Sequence, residues 1–175
     1  MTTEATPPRR VPQSWLDKAG VFTDGGFDGF TPLDWIRQTG ASVTSALTAW
    51  DQGDLAEAPV GKAWDIVRLH LALGWAAITV MRHAGTPVGP VLHTPHGVEV
   101  LVPVGAADHW GLPESGVLTA GTVITVPHPT TVAPRTRRGH SWIVSPHEGG
   151  PLTDVDLLYE RYAVALASAE KGRTR

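Results

Sequence analysis

Residues Pro90 to Gly105, PVLHTPHGVEVLVPVG, leave this chain few ways to fold. Val91-Leu92 and Val98 to Val102 are strand-forming runs, and Thr94-Pro95-His96-Gly97 between them is a turn cluster. Strand formers on both sides of Pro and Gly define a β-hairpin. Pro95 presets φ for a turn position, and Gly97 supplies the positive φ that many tight turns need. Val98 to Val102 is apolar at every position but Glu99. A run of that kind belongs inside a sheet, paired antiparallel with Val91 to His93.

The remaining segments read as elements that pack on this ribbon. Thr31-Pro32-Leu33-Asp34 has the pattern of a helix start, with Thr as N-cap and Pro at N1, and Gly40 ends a short helix. Ser42 opens a second one, in which Val43, Ala46, Leu47 and Trp50 fall at i, i+3, i+4 and i+7. Gly61 turns the chain into a strand that ends near Leu69. His70 to Ala84 is a helix with a broad apolar stripe, closed by Gly85 and Pro87, and is expected to be well covered by the sheet. Ala106 to Gly116 is a loop. Val117 to Pro127 is two short strands broken at Ala120-Gly121, or one bent strand. His128 to His140 is a long Pro/Thr loop, Ser141 to Ser145 a last strand, and Thr153 caps a final helix buried along Val155, Leu158, Tyr162, Ala165 and Ala169. The result is an α+β fold, a mainly antiparallel sheet with flanking helices. Residues 1–13 read as a disordered tail, 14–170 as a single domain, and 171–175 as a frayed basic end.

Composition narrows the function. With 175 residues the chain is long enough to bury a core, and seven tryptophans against three phenylalanines imply one pinned by indoles. The net charge of −3 argues against a dedicated nucleic-acid binder. Zero cysteines exclude disulfides, CxxC zinc sites and a thiol nucleophile. No apolar run is long enough to span a bilayer and the first residues lack a signal-peptide core, so the expected location is the cytoplasm, away from membranes.

Most local motifs dissolve under their own requirements. GGFDG at Gly25 to Gly29 completes no GxGxxG and follows no strand, which leaves an aromatic-anchored loop. Gly61-Lys62 lacks the earlier Gly and the following Ser or Thr of a Walker A loop. His93, His96 and His128 match no established ligand spacing, so neither a metal nor a cofactor is expected. Asp65 stands out, because Trp64-Asp65-Ile66-Val67 is otherwise apolar and a charge there is costly. It is either half of a metal-binding carboxylate pair or a wet strand end paired with Lys62 or Arg68. Arg135, Arg137 and Arg138 form a local basic cluster suited to phosphate contacts, or to pairing with Asp154, Asp156 or Glu160.

From Trp50 through Val144 the order of these pieces resembles the N-terminal domain of bifunctional DNA primase/polymerases, the prim-pol type. The resemblance rests on Pro59-Val60-Gly61 and Trp64 to Val67 at the acidic strand, and on Thr94 to Val102 at the Thr/Gly turn and histidine strand. It extends to Gly121 to Pro129 before the Pro-rich loop, and to Ser141-Trp142-Ile143 at the aromatic strand. It implies a partner acid at position 67, which is Val67, and a histidine at position 100, which is Val100. Glu99 cannot replace that histidine, since neighbours on a strand face opposite ways. The arginine expected before Gly121 is also missing. What the resemblance implies is a prim-pol fold without its catalytic apparatus, with Asp65 as the residual catalytic group and Thr94 and His96 as ligand contacts at the turn. The expected role is a nucleic-acid- or nucleotide-binding or regulatory module. A protein-interaction scaffold with a protein partner, and an active metal-dependent primase/polymerase, are the alternatives.

Overall fold

The expected hairpin forms the middle of the molecule. The structure, a computed structural model, describes residues 33–148 and 151–174. Within them β3 (Val91–Thr94) and β4 (Gly97–Val102) pair antiparallel, with Val91 opposite Val100 and Thr94 opposite Gly97. Gly97 has φ +142, and a side chain there would strike the carbonyl oxygen of Leu69, so the turn requires glycine. All six residues of β4 are buried.

Three more strands complete the sheet. β2 (Asp65–Leu69) lies on the other side of β4, β5 (Ser115–Leu118) flanks β2, and β7 (Ser141–Val144) flanks β3. The order is β5-β2-β4-β3-β7, antiparallel throughout. A separate two-stranded ribbon joins β1 (Ala56–Pro59) to β6 (Val123–Val126). The strand at β1 was not expected. Ala and Glu are weak strand formers, and only pairing with β6 makes these residues a strand. The two short strands after Val117 thus go to different sheets.

The five-stranded sheet has two unlike faces. On one, Val67, Val91, Val98, Val100 and Val102 meet α3 (Leu71–His83) and α4 (Val155–Arg173) through Ile78, Met81, Leu158 and Tyr162. On the other, Ile66, Leu92, Leu101 and Trp142 meet α1 (Asp34–Arg37), α2 (Val43–Asp51) and the ribbon. Indoles pin that second layer as the composition suggested. Trp35 stacks on Trp50 and stands edge-on to Trp142, while the Trp50 and Trp142 N–H groups donate to the Val126 and Pro127 carbonyls.

Local chemistry departs from expectation at several element ends. Asp154, not Thr153, caps α4, its carboxylate accepting from the N–H groups of Asp156 and Leu157. Thr153 is buried and its hydroxyl accepts from Gly89 N–H, fastening the helix entry to the residues before β3. The helix itself continues through Arg173. Only one side of α3 is covered by the sheet, and Leu71 and Val80 on its outer side are exposed. Leu33 begins α1 without a side-chain cap; Thr31 and Pro32, like the tail and the GGFDG loop, lie outside the described residues.

Candidate functional site

Strand alternation decides what Asp65 can reach. Asp65 and Val67 share one face of β2, and Val100 is the register partner of Val67. That is the face on which α3 and α4 are packed. Val67 and Val100 are fully buried, and Asp65 is only 3% exposed. Its Oδ2 accepts from Gly105 N–H at 2.9 Å, whereas Oδ1 has no hydrogen-bond partner among the described residues. The expected wet strand end paired with Lys62 or Arg68 is therefore corrected. Lys62 stands beside Gly40, and Arg68 faces the opposite side of the sheet, where it binds Glu99. The reason is the pleat itself: residues 65 and 68 differ by an odd number, so they cannot share a face.

The Arg68–Glu99 pair was not anticipated. The two are direct register partners on β2 and β4. Arg68 Nε and Nη2 both donate to Glu99 Oε1, at 3.0 and 2.6 Å, while Oε2 has no partner among the described residues. Glu99 is 2% exposed, and the Arg68 side chain keeps partial access to solvent. The available signal was one cation in DIVRL and one anion in GVEVLV, each alone in an apolar strand. Pairing such strands puts the two charges together.

Thr94 and His96 occupy the hairpin tip as placed by the sequence. The Thr94 hydroxyl is buried, donates to the Gly97 carbonyl and accepts from His96 N–H, so it holds the turn and has little left for a ligand. The His96 ring is exposed. It lines a pocket of about 290 Å³ together with Arg68, His70, Glu114 and Ser115. His93 is elsewhere, its Nδ1 accepting from the Trp75 indole, and His128 stands edge-on to Trp50. Among the described residues no three His, Asp or Glu side chains converge as a metal site.

Arg135, Arg137 and Arg138 are exposed at the end of the 128–140 loop. Arg137 and His140 exchange backbone hydrogen bonds at 2.8 and 2.9 Å. Between them Arg138 and Gly139 have φ of 49 and 78, both positive as in a type I′ turn. Arg138 pairs with Asp54 at 3.2 Å, rather than with Asp154, Asp156 or Glu160. Arg137 lies over Gly53, and among the described residues neither it nor Arg135 makes an ion pair. A side chain at Gly139 would come to 3.0 Å of Pro95 Cγ, so this tip abuts the tip of the central hairpin.

Comparison with family models, with curated proteins and with solved structures finds no match to this chain.

Proposed function

We propose that this chain is a non-catalytic nucleic-acid- or nucleotide-binding module, a prim-pol-like fold that has given up its metal chemistry and acts in the cytoplasm in a binding or regulatory role. The observation that carries the binding half is the Arg135–His140 tip. It presents three exposed guanidinium groups on a turn closed by reciprocal backbone bonds, and two of them have no carboxylate partner among the described residues. Guanidinium forks match phosphate oxygens, so backbone phosphates are the natural partner.

The loss of chemistry is supported by the surroundings of Asp65. Two-metal phosphoryl transfer needs several carboxylates reaching a pair of cations beside the substrate. Asp65 is buried on a face whose neighbouring positions, Val67 and Val100, are packed beneath α3 and α4. Among the described residues no second acid joins a carboxylate so enclosed.

Salt-titrated binding of the full chain to single-stranded and duplex DNA tests the proposal. Each neutralised phosphate contributes about 0.7 to 0.9 to the log–log salt slope. Replacing Arg135, Arg137 and Arg138 together with Ala should flatten that slope by about two to three units and leave the unfolding transition in place. Absence of binding at low salt, or binding indifferent to the triple substitution, leaves a protein-interaction scaffold in its stead. Template-directed extension with magnesium or manganese, lost in Asp65→Ala, would restore the enzyme.

A further inference from the structure

Arg68 has two unlike neighbours across the sheet. On the β4 side stands Glu99, and on the β5 side Gly116. The guanidinium is drawn to the carboxylate, and nothing replaces it above the glycine. A Cβ at Gly116 would meet no heavy atom within 4 Å. That gap belongs to the pocket of about 290 Å³ at the end of β2, walled by Arg68, His70, His96, Glu114 and Ser115.

Arg68 supplies most of the free hydrogen-bond donors of this pocket. Arg68 directs two N–H groups to Glu99 Oε1, which leaves further donors of the guanidinium without a partner among the described residues. Among the described residues the rings of His70 and His96 have no hydrogen-bond partner. The Ser115 hydroxyl is already engaged, donating to the Leu112 carbonyl and accepting from the Trp110 indole. Glu114 is the one carboxylate in the wall, and its Oε1 is paired at 3.9 Å with Arg173, outside this pocket. Glu114 also sits at φ 55, uncommon for a residue with a side chain, and its carbonyl is tied down by His70 N–H and the Tyr162 hydroxyl.

We propose that this pocket is a binding site for a phosphate group, either inorganic phosphate or a phosphate monoester. A guanidinium held in place by a buried carboxylate is preorganised, and its remaining N–H groups form a fork suited to a tetrahedral oxyanion. The two imidazoles supply donors from the hairpin tip and the α3 entry. Arg173 offsets the charge of Glu114, which would otherwise oppose an anion. The site stands apart from the Arg135–His140 tip and does not rest on the nucleic-acid reading. The tip abuts Pro95, next to His96 of the pocket, but the two share no lining residue, so a phosphorylated ligand can occupy one without the other.

Nitrogen-15 NMR of the full chain decides it. Inorganic phosphate, compared with chloride at equal ionic strength, should shift the Arg68 Nε–H and the His70 and His96 ring signals saturably. Gly116→Leu fills the gap without touching a charge, and should weaken binding at least about tenfold while the denaturation midpoint stays put. Arg68→Lys, which keeps the charge but loses the fork, should weaken it as well. A nucleoside monophosphate that binds more tightly than inorganic phosphate, its nucleoside being inert, identifies the monoester as the ligand; equal affinity identifies the free anion. No saturable shift beyond chloride overturns the site, as does binding that survives Gly116→Leu. Shifts abolished by the triple substitution at Arg135, Arg137 and Arg138 would place the phosphate elsewhere and also overturn it, whereas failure of DNA binding alone leaves the pocket untouched.

Discussion

Asp65 and Glu99 are two carboxylates in adjacent strands of one sheet, both almost wholly buried, and they solve the same problem in opposite ways. Glu99 faces the layer of tryptophans and brings a cation with it, taking two N–H bonds from Arg68 on a single oxygen. Asp65 faces the helices and has one backbone N–H, from Gly105, and no cation among the described residues. Each retains one oxygen without a partner among the described residues. Burial of a charge is tolerated when it is paired and hydrogen-bonded, so Glu99 is the better compensated of the two. The family resemblance pointed to Asp65. Physical chemistry gives the stronger structural role to its neighbour, whose partner Arg68 borders a pocket.

The largest effect should come from breaking the compensated pair. Arg68→Ala leaves Glu99 buried without its cation and should destabilise the fold by about 3–5 kcal/mol. Replacing both partners, Arg68→Met with Glu99→Leu, should return stability to within about 1 kcal/mol of the parent or exceed it, since an apolar pair avoids the desolvation of both charges. Urea denaturation of the three chains measures this. An Arg68→Ala protein as stable as the parent would mean that water reaches Glu99.

Asp65 should respond differently. Asp65→Ala removes the acceptor of Gly105 N–H, a loss of about 1 kcal/mol, tempered because Gly105 itself is exposed. Asp65→Asn keeps an acceptor and removes the charge, so it should be no less stable than the parent. Strong destabilisation by Asn would show that the charge itself is compensated there, and the contrast with Glu99 would fail.

A hydroxyl buried on the Asp65 side avoids the difficulty by staying neutral. The Tyr162 hydroxyl donates to the Glu114 carbonyl at 2.8 Å and accepts from His70 N–H. Burial raises its pKa above the ordinary tyrosine value, the His70 N–H opposes that shift, and the Glu114 charge adds to it. The unfolded chain ionises this group near pH 10, so stability present below that pH is lost as pH rises toward the raised folded value. Tyr162→Phe should cost about 1 kcal/mol at neutral pH and make this alkaline loss disappear, as thermal scans between pH 8 and 11 would record.

Much of the fold was legible because periodicity and turn chemistry agree along most of the chain. Val98 to Val102 is a buried central strand, Ser42 caps α2, and the Asp65, Val67 and Val100 face follows from alternation alone. The α+β class with antiparallel pairing follows from the same signals. What escaped needed partners distant in sequence. Ala56–Pro59 becomes a strand only through β6, and Thr153 gives up the cap to bind Gly89. The site was harder to read. Arg68, Glu99 and Gly116 meet only through the register of three strands, and the pocket exists because the third of them has no side chain. Arg138 found Asp54 rather than the final helix, and the residues just after α2 lie against the loop tip, Gly53 beneath Arg137.

The smallest expected effect belongs to His147, which extends the comparison to a basic group. Its ring Nε2 is enclosed without a hydrogen-bond partner among the described residues, in the short 3₁₀ turn Pro146–Glu148 after β7. Burial lowers its pKa below the ordinary histidine value, and the nearby His128 lowers it further. The folded state therefore favours the neutral ring, as it favours the neutral Tyr162, whereas a carboxylate at neutral pH must find compensation for its charge. The sign follows directly: below about pH 6.5 the unfolded chain takes up a proton that the folded chain resists. Stability is present above that pH and declines as pH falls through the lowered folded value. His147→Phe keeps a ring of similar bulk and removes the titration. Its stability relative to the parent should then improve between pH 7.5 and pH 5, by less than the Tyr162→Phe loss. A constant difference across that range would show that the ring is protonated as easily in the fold as outside it, and that the enclosure of Nε2 has no consequence for charge.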